Sequence, residues 1–413
     1  MKVLVVSSKY QPEYSGSGLR AHRTYLRLRE KFDIDFEVIS SSTESNVREQ
    51  YTLDDVKIER VVSKRLRNLN RWLTGTPLRR ITNALMSHLE SRAVKKVIAS
   101  KTFDLIHTFG YSPATAAAIK WSRKHNTPLI LELVNPMPTP YQYLPGLRYF
   151  SNQDLATQSA IVAISKELGD MCRSHGLTEN VWTRPNPVDT DLFTIASESR
   201  KFEAREKISS ASNDEKLIVY VAKYSTRKNH TFLLDVLAEL PANYRLVLAG
   251  PPLTDRDLIP GLRADQIPSL NKRAEQLGVE NRVEISHGFV DMPEYLAAAD
   301  VFCFPSKNEG MGTPLLESLA AGVPVVANAG ESAFREHILD GENGYLRELD
   351  PAAWAEAIVK ASDITDSARQ KFAADISDKY STDRIDSSYQ KLMTALVSSN
   401  QGEQLSVAEV LDP

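Results

Sequence analysis

Residues 299–328, ADVFCFPSKNEGMGTPLLESLAAGVPVVAN, read as strand, loop, helix and strand. Val301 to Phe304 is a short apolar run of the buried-strand type, stopped by Pro305. Ser306 to Gly312 is a polar loop with two glycines, whose backbone can approach a ligand closely. Thr313 is a good helix N-cap, Pro314 suits the first helical position, and Leu315 to Ala321 is helix-forming. Gly322 stops that helix, and a second strand starts at Val323. Amides at such a helix start favour an anion lying over the loop. Glu309 and Glu317 bracket the turn. Amides for a diphosphate and carboxylates that accept from hydroxyls together suit a sugar nucleotide.

The whole string, with its P-S, E-G-x-G, P-x-L-E and A-x-G-x-P-V-V pieces, resembles the E-x7-E signature of family-4 retaining glycosyltransferases. The resemblance implies the GT-B fold, two Rossmann-like α/β domains with doubly wound parallel sheets facing across a cleft. Two glutamates eight residues apart are common by chance; the full string is far more specific.

Bulk composition agrees with a soluble globular protein of at least two domains. The chain has 413 residues, is 42% hydrophobic and 25% charged, and carries a net charge of −3, which gives no reason to expect nucleic acid. Its two cysteines, Cys172 and Cys303, match no metal spacing. The opening apolar run is too short for a signal peptide and nothing approaches a membrane span, so a cytoplasmic protein is expected.

Lys2 to Ser7 reads as a buried parallel strand, followed by Gly16-Ser17-Gly18 and a helical pattern from Leu19 to Arg29. A lone G-x-G is weak evidence, but in the resembling family this loop offers backbone amides to the donor diphosphate. That role is carried to Gly16 and Gly18. Phe103 to Phe109 is a further strand. The family often has D-x-I-H-x-H there, beside the donor sugar; this chain keeps His107 and has Phe109 at the second place, which puts the sugar pocket in question. His107 is either a sugar-site residue or a satisfied strand-end histidine. Glu132, Asn135 and Pro136 to Pro145 lie at the exit of the next strand and form a candidate acceptor wall. Residues 61–80 hold Lys64, Arg65, Arg67, Arg71, Arg79 and Arg80 with Trp72 and no acid. Such a stretch is either a solvated helix face or a contact with an anionic acceptor or membrane.

Arg184 to Asp189, with two prolines, breaks the chain and resembles the family's interdomain N-G-V-D motif with Pro187 in place of glycine. Leu217 to Ala222 is a strand with Lys223 and Lys228 beyond its carboxyl end. The family pattern there is G-R-L-x-x-x-K-G, and the two lysines would neutralise a diphosphate. Lys223 stands where the family has an arginine, so the bidentate fork is lost. In the resembling family the loop after a later strand, here Val283 to Ser286 with Gly288, packs on the nucleobase, so the resemblance implies Phe289 and Val290 as base contacts.

The expected domains are therefore 1–187 for the acceptor and 188–370 for the donor. Helices over 371–397 are expected to return to the first domain, and 398–413 to be a mobile tail. The resemblance implies donor contacts at Gly16, Gly18, Lys223, Lys228, Phe289, Val290, Glu309, Gly310, Met311, Gly312, Thr313, Leu315 and Glu317. Glu309, Lys223, Lys228 and His107 are the candidate catalytic residues. No metal site and no cofactor are expected beyond a nucleotide diphosphate sugar as co-substrate, a UDP-sugar in the first instance. Three Asp-x-Asp strings, at Asp33, Asp189 and Asp255, read as chance. The acceptor would be a saccharide, a lipid-linked or a protein-linked group, met in the cytoplasm or at the inner membrane face. Two other classes remain: a pyridoxal phosphate-dependent phosphorylase, for which no lysine motif stands out, and a non-catalytic sugar-nucleotide sensor or scaffold.

Overall fold

The computed structural model describes residues 1–413 except 14, 43–47, 63–68, 70–71, 74–77, 135–158, 213, 253–266, 289, 310, 400–404 and 412–413, and the side chain of Arg80. Two compact units are present, one formed by Met1–Arg184 with Ile385–Pro413 and the other by Pro185–Arg384.

The first unit is built on an eight-stranded sheet in the order β3-β4-β2-β1-β5-β6-β7-β8. Its strands are β1 Lys2–Ser7, β2 Asp35–Ser40, β3 Glu49–Leu53, β4 Val56–Arg60, β5 Leu105–Phe109, β6 Leu129–Leu133, β7 Ser159–Ala163 and β8 Val181–Thr183. All neighbours are parallel except the edge hairpin β3–β4, turned at Asp54 and Asp55, both of positive φ. The central strands β5, β6 and β7 are buried along their whole length, as a sheet covered on both faces requires. The helix Thr382–Ser398 places Ile385, Tyr389, Leu392, Met393 and Leu396 in the core of this unit with Tyr25, Phe36 and Phe109.

The second unit has six parallel strands, β9 Lys216–Val221, β10 Tyr244–Gly250, β11 Val283–His287, β12 Val301–Phe304, β13 Val325–Asn328 and β14 Gly344–Arg347. Their order is β11-β10-β9-β12-β13-β14. From β9 the chain winds outward one way to β11, then returns to β12 and winds the other way. That reversal puts a topological switch point between the carboxyl ends of β9 and β12, where open parallel sheets bind ligands. Asp300 fixes the start of both strands: its Oδ2 accepts from Leu217 N at 2.7 Å and from Arg205, and its Oδ1 from Lys201 Nζ at 2.8 Å.

Three boundaries differ from the sequence reading. The second unit runs on to Arg384 because the helix Asp366–Tyr380 packs on the helix Thr313–Ala320. Only the residues from Ile385 on belong with the first unit. The tail is ordered in part: Val407–Leu411 is helical and Val407 is 3% exposed, its amide donating to Glu179 O at 2.7 Å. Most of the basic stretch 63–77 and the proline-rich segment 136–145 lie outside the described residues.

Candidate functional site

Two loops flank the switch point of the second unit, Ala222 to Asn229 after β9 and Pro305 to Gly312 after β12. The Tyr220 hydroxyl joins them from below, donating to Lys228 O at 2.8 Å and lying 2.8 Å from Ser306 Oγ. Lys307 N donates to Arg227 O at 2.9 Å, and Arg227 Nη1 to Asn308 O at 2.8 Å. On this frame Lys228 Nζ meets Glu309 Oε1 at 2.6 Å, with Arg227 Nη1 at 3.5 Å from the same oxygen. Lys228 also sits 5.6 Å over the Phe304 ring.

The electrostatics follow from that packing. Burial alone would raise the Glu309 carboxyl, but Lys228, Arg227 and a hydrogen bond from Ser306 hold it below the usual carboxylate range. Burial lowers the Lys228 ammonium, against the pull of Glu309. The pair is a charged couple with little solvent.

A third carboxylate shapes the loop. Glu331 Oε1 accepts from Asn308 N at 2.8 Å and Oε2 from Glu309 N at 2.7 Å. Asn308 is left-handed, with φ 57°. Consecutive amides around such a residue converge on one anion, and here the anion is the protein's own. Removing it by Glu331→Ala is expected to speed amide exchange at Asn308 and Glu309 about ten-fold, the loss of roughly one hydrogen bond's worth of protection. Exchange mass spectrometry of the 305–312 loop reads this; unchanged protection sinks the clamp.

The helix that follows starts at Thr313, with Gly312 as its cap and no side-chain cap bond. Thr313 had been expected to cap. Gly312 takes that place because its backbone is left-handed, φ 75°, and a Cβ there would lie 2.6 Å from the Phe334 ring. The Thr313 hydroxyl instead accepts from Asn186 Nδ2 at 2.8 Å and donates to Met311 Sδ at 3.6 Å. Leu315 does not fit a donor contact: its side chain is fully buried and its amide donates to Gly312 O at 2.9 Å. Lys223, Val290 and Glu317 are half-buried. Phe289 and Gly310 lie outside the described residues.

The candidates of the first unit fare differently. Ser15 caps the first helix and its Oγ accepts from Gly18 N at 3.2 Å, so that amide is already engaged. Gly18 is required for packing, since a Cβ would meet Lys9 O at 2.4 Å, whereas Gly16 has open space around it. His107 is a core residue, 0% exposed. Its Nδ1 lies 2.7 Å from the Tyr25 hydroxyl and its Nε2 3.4 Å from Glu132, while the Phe109 ring lies tilted against it with centroids 4.2 Å apart. A ring so enclosed acts on no substrate directly, and the catalytic expectation for His107 is withdrawn. Glu132, placed on the acceptor wall from sequence, is also fully buried.

Of the residues singled out from sequence, Lys228, Glu309 and Met311–Thr313 lie together at the switch point; Arg227, Glu331, Asn186 and Tyr220, which pack among them, were not singled out. The Ala329-Gly330-Glu331 turn carried the one usable signal, a carboxylate in a glycine turn at the end of β13.

Two family models match in succession. The model for Glycosyltransferase Family 4 covers residues 14–192, and that for glycosyl transferases group 1 covers 201–376. The chain belongs to the group 1, family 4 glycosyltransferases. Among curated members of this family, the D-inositol 3-phosphate glycosyltransferase of Xylanimonas cellulosilytica is 31% identical over 214 residues, 50% of this chain and 49% of that protein. The match therefore spans about half that relative's length. The putative teichuronic acid biosynthesis glycosyltransferase TuaC of Bacillus subtilis is 25% identical over 385 residues, 87% of this chain and 89% of its own. Among solved structures, Anabaena Alr3699/HepE in complex with UDP-glucose superposes with a TM-score of 0.67 at 18% identity, covering 96% of this chain and 100% of its own. At that identity the likeness bears on the fold, which is GT-B.

Proposed function

We propose that this family member is a retaining glycosyltransferase that moves a sugar from a nucleotide diphosphate donor, UDP-linked in the first instance, to an acceptor hydroxyl in glycan, polysaccharide or glycolipid assembly. The observation that carries the reading is the Lys228–Glu309 pair at the switch point, 2.6 Å apart beside a helix start that has no side-chain cap bond. As the bond from the anomeric carbon to the diphosphate oxygen breaks, negative charge grows on the diphosphate. Lys228, Lys223 and the amides of the 310–313 turn absorb it, and no ion is recruited. Glu309 accepts from the sugar hydroxyls and Glu317 from the ribose. The acceptor oxygen bonds the anomeric carbon on the same face, and its proton passes to the departing diphosphate, so the configuration is kept. The relatives support the donor and the pathway class: HepE was solved with UDP-glucose, and TuaC is named for teichuronic acid biosynthesis.

A thermal-shift panel of UDP-, GDP- and ADP-sugars tests the donor, since a bound ligand raises stability by about 2.7 kcal/mol at a hundred-fold excess over Kd. At least one sugar nucleotide is expected to raise the melting temperature. Transfer from it is expected to survive EDTA, and the product is expected to keep the donor's anomeric configuration by NMR. An inert panel overturns the donor site. Loss of transfer in EDTA overturns the lysine-only account, and an inverted product overturns retention. The enclosure of His107 by Phe109 keeps the sensor reading in play; donor binding without transfer or hydrolysis would establish it instead.

A further inference from the structure

A helix packed on one side normally turns its polar face to water. The helix Leu78–Ile98 of the first unit turns a row of apolar side chains to water as well, beside the exposed Arg79, Asn83 and His88 of its first three turns. Leu78 is 56% exposed, Ile81 65%, Leu85 47% and Leu89 42%. At about 100° per residue, these four positions fall within an arc of about 80°. The same stripe continues as Arg92 and Lys96, both exposed. The helix contains one carboxylate, Glu90, and that is buried at 2%.

The apolar exposure is concentrated. Together with Leu69 and Trp72, earlier in the chain, the four stripe residues make up six of the twelve large apolar side chains exposed among the described residues. So dense an apolar patch on a soluble surface marks an interaction site. Charge says what kind. Residues 61–98 carry nine lysines and arginines against one acid, in a chain whose net charge is −3. No helix among the described residues is long and apolar enough to cross a bilayer.

We infer that the exposed face of the Leu78–Ile98 helix docks on an anionic lipid surface, lying in the headgroup plane with Leu78, Ile81, Leu85 and Leu89 in the acyl boundary and Arg92 and Lys96 on the phosphates. The apolar stripe supplies insertion and Arg79, Arg92, Lys95 and Lys96 of the same helix supply attraction, and neither alone gives stable peripheral binding. Trp72, 88% exposed, is of the residue type that favours a membrane interface. The inference is independent of the donor site, and its test involves no sugar transfer, so the two readings fail separately.

The test is co-sedimentation of the full chain with phosphatidylcholine vesicles and with vesicles containing about a third phosphatidylglycerol. Binding is expected to the anionic vesicles only and to weaken with salt over the range set by a Debye length of about 10 Å at 0.1 M. The triple variant Ile81→Ser, Leu85→Ser, Leu89→Ser is expected to lose binding ten-fold or more with its melting temperature unchanged, because the side chains it removes face solvent. The variant Arg92→Gln, Lys96→Gln is expected to weaken binding about five-fold for each charge. Equal binding to both vesicles, or a triple variant that binds like the parent, overturns the inference. So does a triple variant that changes sedimentation from dimer to monomer without altering lipid binding, since the face would then belong to a second copy of the chain.

Discussion

Lys228→Ala is expected to weaken nucleoside diphosphate binding about 10- to 100-fold, the loss of one charge-assisted contact worth about 1.5–3 kcal/mol. The ammonium already has a partner, because it holds Glu309 at 2.6 Å. A diphosphate must therefore take Lys228 from a carboxylate, and the binding energy is the difference between the two partners. The companion variant separates these terms. Glu309→Gln removes the competitor, so it should leave the affinity for a bare nucleoside diphosphate unchanged or tighten it, while lowering transfer from the sugar nucleotide. A pair that only stabilised the fold would behave otherwise: both substitutions would lower the melting temperature and neither would split nucleotide from sugar. Calorimetry with the bare nucleotide and initial rates with the sugar nucleotide give the two readings. Unchanged nucleotide affinity in Lys228→Ala, in a protein that still melts cooperatively, removes the donor site from this loop.

How much of this could be read from sequence depends on the range of the interactions. The strand β12 matches its apolar run residue for residue, because a parallel strand buried on both faces must be apolar throughout. The helix start was misread by one residue, since Thr is a strong cap by propensity and Gly312 wins only through a left-handed backbone pressed against Phe334. The β3–β4 hairpin had a legible signal, Asp54-Asp55 between alternating residues, though Asp-Asp is a weaker turn signal than Asp-Gly. Glu331 was not legible as a clamp, for it acts on Asn308 and Glu309 from 22 and 23 residues away through the fold. His107 failed for the same reason in reverse. Its neighbours Tyr25, Glu132 and Tyr389 come from three distant parts of the chain, and no local pattern reports that they close over it.

Those neighbours set the second large effect, which concerns stability. Glu132→Gln is expected to destabilise the first unit by about 3–5 kcal/mol, because it leaves buried cations without their counter-charge. Glu132 is fully buried on β6. Its Oε1 accepts from Arg20 at 2.6 Å; its Oε2 accepts from the Tyr389 hydroxyl at 2.8 Å and lies 3.6 Å from Arg184, which also bonds Tyr389. Glutamine keeps the shape and one acceptor but not the charge that two guanidiniums share. The pH dependence follows. Burial alone would raise the Glu132 carboxyl, yet Arg20 and Arg184, with His107 behind them, hold it far below the ordinary value of about 4.3. A group depressed in the folded state contributes its full stability above the unfolded value, and loses it as pH falls through the folded one. The gap between parent and variant should thus be full at neutral pH and close progressively as the pH drops below about 4. Urea unfolding followed by tryptophan fluorescence measures it, Trp182 lying 5.1 Å from the Tyr389 ring. A variant within about 1 kcal/mol of the parent at pH 7, the size of an ordinary surface ion pair, would show that the cluster is screened and that Tyr389, not the carboxylate, fastens the C-terminal helix to this unit.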